Sequence, residues 1–494
     1  MKLPELGVGV IYTPTLQSFL ETEPDLVSVV EVEPETLWRF TGDPAEPYRP
    51  DWDALALVRG LPQAKLVHGV GFPVGGTRPP DPLHLPVLVE MIGLLGAPWA
   101  SEHLAFNRAA GPGGPFATGF LLPPLQSPAG VAAAAASIRT VTSRLPVPFA
   151  VETGVNYLRP RAGEMPDGAF VGAVAEAADC GILLDLHNLW ANERNGRQRV
   201  ADLLAEIPLD RVWEVHVAGG SEFLGYWLDA HSGEMPAELV AALRWILPEL
   251  PAVRSVVFEI TSAPFLERLG VDGMRRQVAT LREIWERRTA FPRRVRQGSL
   301  ATEKPAAVPV TAEPGWTPEE WEDGLGVRVV GGPLETETPV GRALDGDPGV
   351  EVLRRLVWNF RSGVLVETLG LTCRLLLLHG GDPLIRSLFD DFFLSAPPEL
   401  FASVEAEAFA GYLERRQPDV PFLPEILGFE MAAVRAVLRG EPQLVPFRYE
   451  PSSLLEPLSR GRFPESPTPG RYEVEVTPET GAGHAVTSGL ISSS

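Results

Sequence analysis

The sequence predicts an α/β fold: a (β/α)8 TIM barrel over residues 1–288, followed by a smaller, mostly α-helical second domain. Three observations predict it. Eight short β-rich runs recur through the first part of the chain, with helical stretches between most of them. Six of those runs, the third to the eighth, carry histidine or carboxylate side chains at or near their ends. Beyond a proline-rich interruption the pattern changes to apolar residues three and four apart.

The strand-like runs are 7–11, 26–33, 65–70, 98–105, 147–152, 181–186, 211–217 and 255–260. Between them, 131–141 reads as a helix with Ser127 as N-cap and Pro128 at its first position, where a missing N–H costs nothing. Stretches 168–178 and 237–246 are also apolar at helical spacing. A doubly wound sheet is the competing fold. It usually carries a glycine fingerprint after its first strand, and the chain has neither GxGxxG nor GxxxxGK[ST]. GVGFPVGG at 69–76 is glycine-rich, but it follows the third run and lacks the phosphate-loop lysine.

Segment 289–325 contains Pro292, Pro305, Pro309, Pro314 and Pro318 and no apolar periodicity, so it reads as a semi-rigid linker. Residues 326–463 form the predicted helical domain. Residues 464–494 read as a loose tail, although 471–476 alternates well enough for one strand. With 42 Lys+Arg against 64 Asp+Glu the net charge is −22, which argues against a general nucleic-acid or anionic-membrane surface. The two cysteines, Cys180 and Cys373, allow no disulfide framework and no cysteine-built metal site, and both read as core residues. The N-terminus lacks the pattern of a signal peptide, and the densest apolar run is too short to span a bilayer. A cytoplasmic protein is expected.

The polar run ends carry the chemistry. They supply His68, Glu102 and His103, Glu152, the group Asp185, His187 and Asn188, His216, and Glu259; a loop adds Asp229 and His231. Five of the eight histidines of the chain are in this set. In a parallel barrel the C-terminal strand ends converge on one mouth. So many imidazoles and carboxylates there would repel and desolvate one another unless cations were bound. Mixed nitrogen and oxygen donors without thiolate suit Zn2+, Fe or Mn2+, and the number of donors suits two or three ions sharing a carboxylate such as Glu152. Singly, each residue has an ordinary explanation. Asp185 could be a helix N-cap, Glu259 could pair with Arg254 or Arg268, and Glu102 should point away from His103 because strand neighbours alternate faces. The ordinary readings weaken jointly, since polar groups at equivalent strand ends would need a separate reason each.

In order and wording this set resembles the endonuclease IV / xylose isomerase-like barrel superfamily, and within it the multinuclear non-heme iron-dependent oxidases typified by the methanobactin-biosynthesis oxidase. The resemblance lies in LGVGV (6–10), VVEVEPE (29–35), LVHGV (66–70), SEHLAF (101–106), FLLPP (120–124), VETGVNYL (151–158), GILLDLHNLW (181–190), LDRVWEVHVAG (209–219) and LDAHSGEMP (228–236). It implies as metal ligands His68, His103, Glu152, Asp185, Asn188, His216, Asp229, His231 and Glu259, with His187 and Glu102 as supporting or substrate-facing groups. It implies two or three iron ions, with Zn2+ as the alternative, O2 as co-substrate, and a ribosomal precursor peptide, most often modified at cysteine. Three positions depart from the family: Thr153 and His187 stand where asparagines are usual, and Gly220 where many relatives have a second histidine. Around 357–397 the helical part resembles the partner proteins that accompany these oxidases, which implies a partner domain fused in cis. Three other readings remain at this point: a zinc phosphodiesterase, a sugar isomerase, and a peptide-binding scaffold without turnover.

Overall fold

The computed structural model describes residues 3–43, 45–78, 82–111, 113–261, 263–289, 315–331 and 338–478. Eight parallel strands close into a barrel in strictly sequential order: β1 (Gly7–Ile11), β2 (Val29–Val32), β3 (Ala64–Gly69), β4 (Ala100–His103), β5 (Phe149–Glu152), β6 (Gly181–Asp185), β7 (Val212–Ala218) and β8 (Ser255–Glu259). Each arises from one of the eight predicted runs, with ends moved by at most three residues. Such strands are covered by helices outside and side chains inside, so they are near-continuously apolar rather than alternating. Val29, Leu66 and Trp99, all buried, form one small apolar cluster that Trp213 joins from a partly buried position.

The helices follow from ordinary local rules. Ser127 caps Pro128–Thr142 by accepting from the Gly130 amide at 3.1 Å, and Pro128 opens the helix. The helices Asp167–Ala178 and Ala237–Ile246 match the expected stretches to within one residue. A long hairpin, Phe106–Gly111 with Gly114–Leu122, follows β4 and was not foreseen.

The second part of the chain is helical, as expected, with α1 (Pro318–Val330), α2 (Pro339–Ala343), α3 (Pro348–Thr368), α4 (Gly370–Ser395), α5 (Ala402–Arg416), α6 (Leu423–Arg439) and α7 (Pro451–Ser459). Two boundaries differ from the sequence reading. The presumed linker 289–325 ends early, because Thr317 and Glu320 form a capping box and Pro318 occupies the first helical position. Its residues 290–314 lie outside the described residues. The presumed loose tail 464–494 includes a strand, Pro469–Val476, paired antiparallel with Gln443–Tyr449. Residues 479–494 of that tail also lie outside the described residues. Both cysteines are buried. Among the described residues no single helix is long and apolar enough to cross a membrane; α3 and α4 pass that test only as a pair bent by 105°.

The two parts share a core. Trp321, Leu325, Leu353 and Val357 of α1 and α3 pack with Phe106, Leu122, Tyr157 and Leu228 from loops above the barrel. Polar contacts fix this interface. Glu322, 2% exposed, accepts from the Thr77 amide at 2.7 Å and hydroxyl at 2.6 Å, and Trp321 Nε1 donates to the Pro123 carbonyl at 2.9 Å. Gly349, at the start of α3, passes so close to the barrel that a Cβ there would lie 2.1 Å from the Tyr157 carbonyl oxygen. The helices thus seat on the side where the strands end.

Candidate metal centre

The parallel register brings the polar strand ends together. His103 is level with Glu152, Asp185 with His216, and Ala218 with Glu259, while His68 lies beside Ser101. The loop after β7 returns Asp229 and His231 to the same mouth, His231 in the left-handed region at φ 41°. Asn188 sits on the first turn of the helix Leu186–Arg194, whose N-cap is Asp185. Eight of the nine expected ligands fall in overlapping groups linked through Glu152 and Asp185, and Asn188 lies against Asp185.

Four groups of donors could each hold a cation: one is Glu31, Glu214 and His216, and the other three overlap and are built from the expected ligands. In the first of those three, Nε2 of His68 and Nε2 of His103 lie 3.0 and 2.9 Å from the same oxygen, Oε2 of Glu152. In the second, Glu152 joins Asp185, His216 and Glu259, with Oε1 of Glu152 3.8 Å and Oε2 of Glu259 3.2 Å from Nδ1 of His216. The third comprises Asp185, Asp229 and His231, with His231 Nε2 2.8 Å from Asp229 Oδ1. Donors bound about 2.1 Å from one ion lie roughly 3–3.4 Å apart; four of these five contacts come within a few tenths of that range, and the His216–Glu152 contact at 3.8 Å is longer. Several atoms here are buried yet unmatched by any hydrogen bond or ion pair: Oδ2 of Asp185, Oδ1 of Asn188 and Nδ1 of His231. Buried polar atoms are rarely left so. The donor set fits cations.

Neighbouring groups orient these donors. The other ring nitrogen of His68 lies 2.9 Å from the Ser101 hydroxyl. That of His103 lies 3.2 Å from both the Gly69 carbonyl and Oε1 of Glu102. Strand alternation predicts Glu102 turned away from His103; at the end of β4 the side chain instead folds back, accepting from the His103 amide at 2.8 Å. Asp185 does cap its helix, through Oδ1 to the Asn188 amide at 2.7 Å, which leaves Oδ2 for the mouth. Thr153 accepts from the Asp185 amide through its hydroxyl and from Asn188 Nδ2 through its carbonyl, turning the Asn188 oxygen inward. Glu259 faces His216 and His231 rather than an arginine.

Sequence reasoning overlooked a second tier of carboxylates. Glu31, fully buried on β2, places Oε2 2.7 Å from His216 Nε2, and Glu214 on β7 accepts from Trp99 Nε1 at 2.9 Å. Glu33 and Glu35 are buried nearby. The available signal was VEVEPE itself: a glutamate within a strand whose faces are both covered, and two more directly after it.

The electrostatics follow from the crowding. Burial opposes charge on Glu152, but His103 and His68 hold its carboxyl well below the usual range. Burial likewise works against His231, yet Asp229 and Glu259 push it up to about 10. Asp185 is driven well above the ordinary carboxylate range by burial and then by Asp229, Glu152 and Glu259. Cations entering such a site displace protons.

Glu35 gives a separate, measurable consequence. Burial and the nearby Glu102 push its carboxyl up to about 8, against the amides of Gly71 and Val70. Its folded pKa therefore lies above its unfolded value of 4.5, so its stabilising contribution is complete at acid pH and lost as pH rises toward 8. With metals stripped by a chelator, the wild type should lose on the order of 2–4 kcal/mol relative to Glu35→Gln between about pH 5 and pH 8. Urea unfolding of both proteins at the two pH values measures this; equal pH slopes would refute it.

Comparison with known proteins decides the family. The model described as "RiPP precursor modification enzyme MbnB/TglH/ChrH" matches residues 5–270, more than half of the chain. The chain belongs to this family. That description is of enzymes that modify ribosomally made precursor peptides. Among curated relatives, a UPF0276 protein of Streptomyces avermitilis is 32% identical over 194 residues, covering 39% of this chain and 40% of that protein. One from Neisseria meningitidis is 30% identical over 245 residues, covering 49% of this chain and 83% of that protein. The match spans 40% and 59% of the first two relatives, the second being from Anaeromyxobacter. A solved structure of a xylose isomerase domain protein from Planctomyces limnophilus is 15% identical, with a TM-score of 0.38 over 58% of this chain and all of that one.

Proposed function

We propose that the chain is a multinuclear non-heme iron enzyme that uses O2 to oxidise residues, cysteine foremost, of a ribosomal precursor peptide in the cytoplasm. The observation that carries this reading is the double use of Glu152. One of its oxygens faces His68 and His103 while the other faces His216, the arrangement of a carboxylate shared by two cations. The ligands assigned are His68, His103 and Glu152 for one ion, Glu152, Asp185, His216 and Glu259 for a second, and Asp185, Asn188, Asp229 and His231 for a third, giving two or three irons. Bound iron would supply electrons to O2 and a Lewis acid for a substrate thiolate.

The protein's own share is placement and exclusion of water. A cavity opens beside the candidate ligands His103, Asn188, Asp229 and His231, with Phe120 and Leu122 of the hairpin forming apolar wall and Thr153 and Tyr157 polar wall. That mixture suits a short side chain delivered on an extended backbone. Tyr157 accepts from the Asp229 amide at 3.2 Å, and burial followed by Asp229 raises its phenol well above the usual range, so it stays protonated. The hairpin wall also bears α1 and α3 on its outer side. In this reading the helical unit is a partner domain fused in cis that delivers the peptide to the mouth.

Elemental analysis of the full chain, expressed with iron and purified without oxygen, tests the metal. Two or three irons per chain and an O2-dependent mass change in the precursor peptide are expected. Zinc filling the site despite excess iron, with no mass change on adding O2, would overturn the oxidase and favour a hydrolase.

A further inference from the structure

His187 and Gly220 meet in space at Trp227. We propose that His187 is a positioning residue rather than a metal ligand: Trp227 fixes its ring with the proton on Nδ1, turned toward Asp229, and Gly220 is the gap that admits the pair. Trp227 Nε1 donates to His187 Nε2 at 2.9 Å. An indole N–H can only donate, so Nε2 of His187 carries no proton. The ring then bears its single proton on Nδ1, which leaves no lone pair on that nitrogen for a cation. Nδ1 lies 3.3 Å from Oδ1 of Asp229, and the imidazole is fully buried.

The indole is itself locked. The side-chain amide of Asn195, at the C-terminal end of the helix Leu186–Arg194, donates to the Trp227 carbonyl at 2.9 Å and accepts from its amide at 2.8 Å. Trp190 meets Trp227 edge to face at 5.0 Å, and the Arg194 guanidinium covers both rings. One helix therefore carries the imidazole at its start and the clamp for the indole at its end. Any side chain at Gly220 would break the arrangement, since a Cβ there would lie 2.5 Å from Trp227 Nε1 and 2.7 Å from His187 Nε2. His187 and Gly220 thus work together, an imidazole supplied from the helix and a strand end left clear for its partner. The role assigned toward Asp229 rests on the reading of Asp229 as a ligand; the tautomer does not.

The test uses the full chain in two states. In metal-free protein labelled with 15N-histidine, long-range proton–nitrogen correlation reads the tautomer, with His187→Asn identifying the signal. Nδ1–H is expected in the wild type, shifting toward Nε2–H in Trp227→Phe and in Gly220→Ala, whose methyl would meet the Leu228 carbonyl as well as the indole. Circular dichroism checks that each variant is folded. Cobalt(II) titration then reads the metal side: Trp227→Phe and His187→Asn should weaken the weakest site about ten-fold, the lower range for removing an outer partner of a ligand. An Nε2–H signal in the wild type overturns the lock. Unchanged cobalt affinity in both variants overturns the positioning role. A wild type that takes up no cobalt sinks the metal-centre reading together with that role, while the tautomer still decides the lock.

Discussion

Replacing Glu152 with alanine is expected to remove peptide modification to background and to leave one metal ion or none on each chain. Glu152 belongs to two of the donor groups and links the His68–His103 pair to the rest, its oxygens lying 3.0 and 2.9 Å from two histidines and 3.8 Å from a third. Outer-shell partners of metal ligands are typically worth about 10–100-fold in affinity, so a shared ligand should exceed a hundred-fold. Glu152→Gln separates charge from shape: it keeps the volume and one oxygen but not the anion that His68 and His103 face. Both variants should therefore bind metal poorly, the glutamine variant less so. Elemental analysis and mass spectrometry of the peptide check this; wild-type metal content in the alanine variant would remove Glu152 from the centre.

The second large effect lies in the helical unit. Arg361→Met should destabilise the helical unit by about 3–5 kcal/mol, because it leaves Glu405 buried without its cation. Arg361 is 1% exposed. Its Nε donates to Glu405 at 2.7 Å, and its remaining donors reach the carbonyls of Phe393, Ala396 and Pro397 where the chain leaves α4. Removing both charges, in Arg361→Met with Glu405→Leu, should recover part of the loss, since an apolar pair has no charge to desolvate. The fluorescence of Trp358, packed edge-on against Phe393, follows unfolding of this unit in denaturant. A single variant within about 1 kcal/mol of wild type would mean that water reaches Glu405 after all.

The barrel was legible because its strands have no solvent face. Covered on both sides, they read as apolar runs wherever they occur, and a polar residue at the end of such a run is conspicuous. His68, His216 and Glu259 stood out for this reason. Glu31 and Glu214 did not, because they lie within their strands, where a carboxylate in a short run looks like an outward-facing residue. Only the closed cross-section shows that both point at His216 or Trp99. Glu102 was misjudged for a local reason: alternation governs where a side chain starts, and a flexible carboxylate at the end of a strand can turn back to its neighbour's amide. The hairpin after β4 was missed because it is a partly exposed antiparallel pair whose function is to meet helices more than two hundred residues later, a relation no local pattern encodes.

That hairpin has a consequence for anyone recombining such proteins. Its Leu122 touches the cavity on one face, and the pair packs against α1 and α3 on the other, with the Ala110 amide bound to Asp323. A chimera cut in the proline-rich stretch would separate the helices from the surface shaped to receive them. The unit of exchange is therefore discontinuous: residues 106–122 travel with the helices, and the eight-stranded scaffold stays behind.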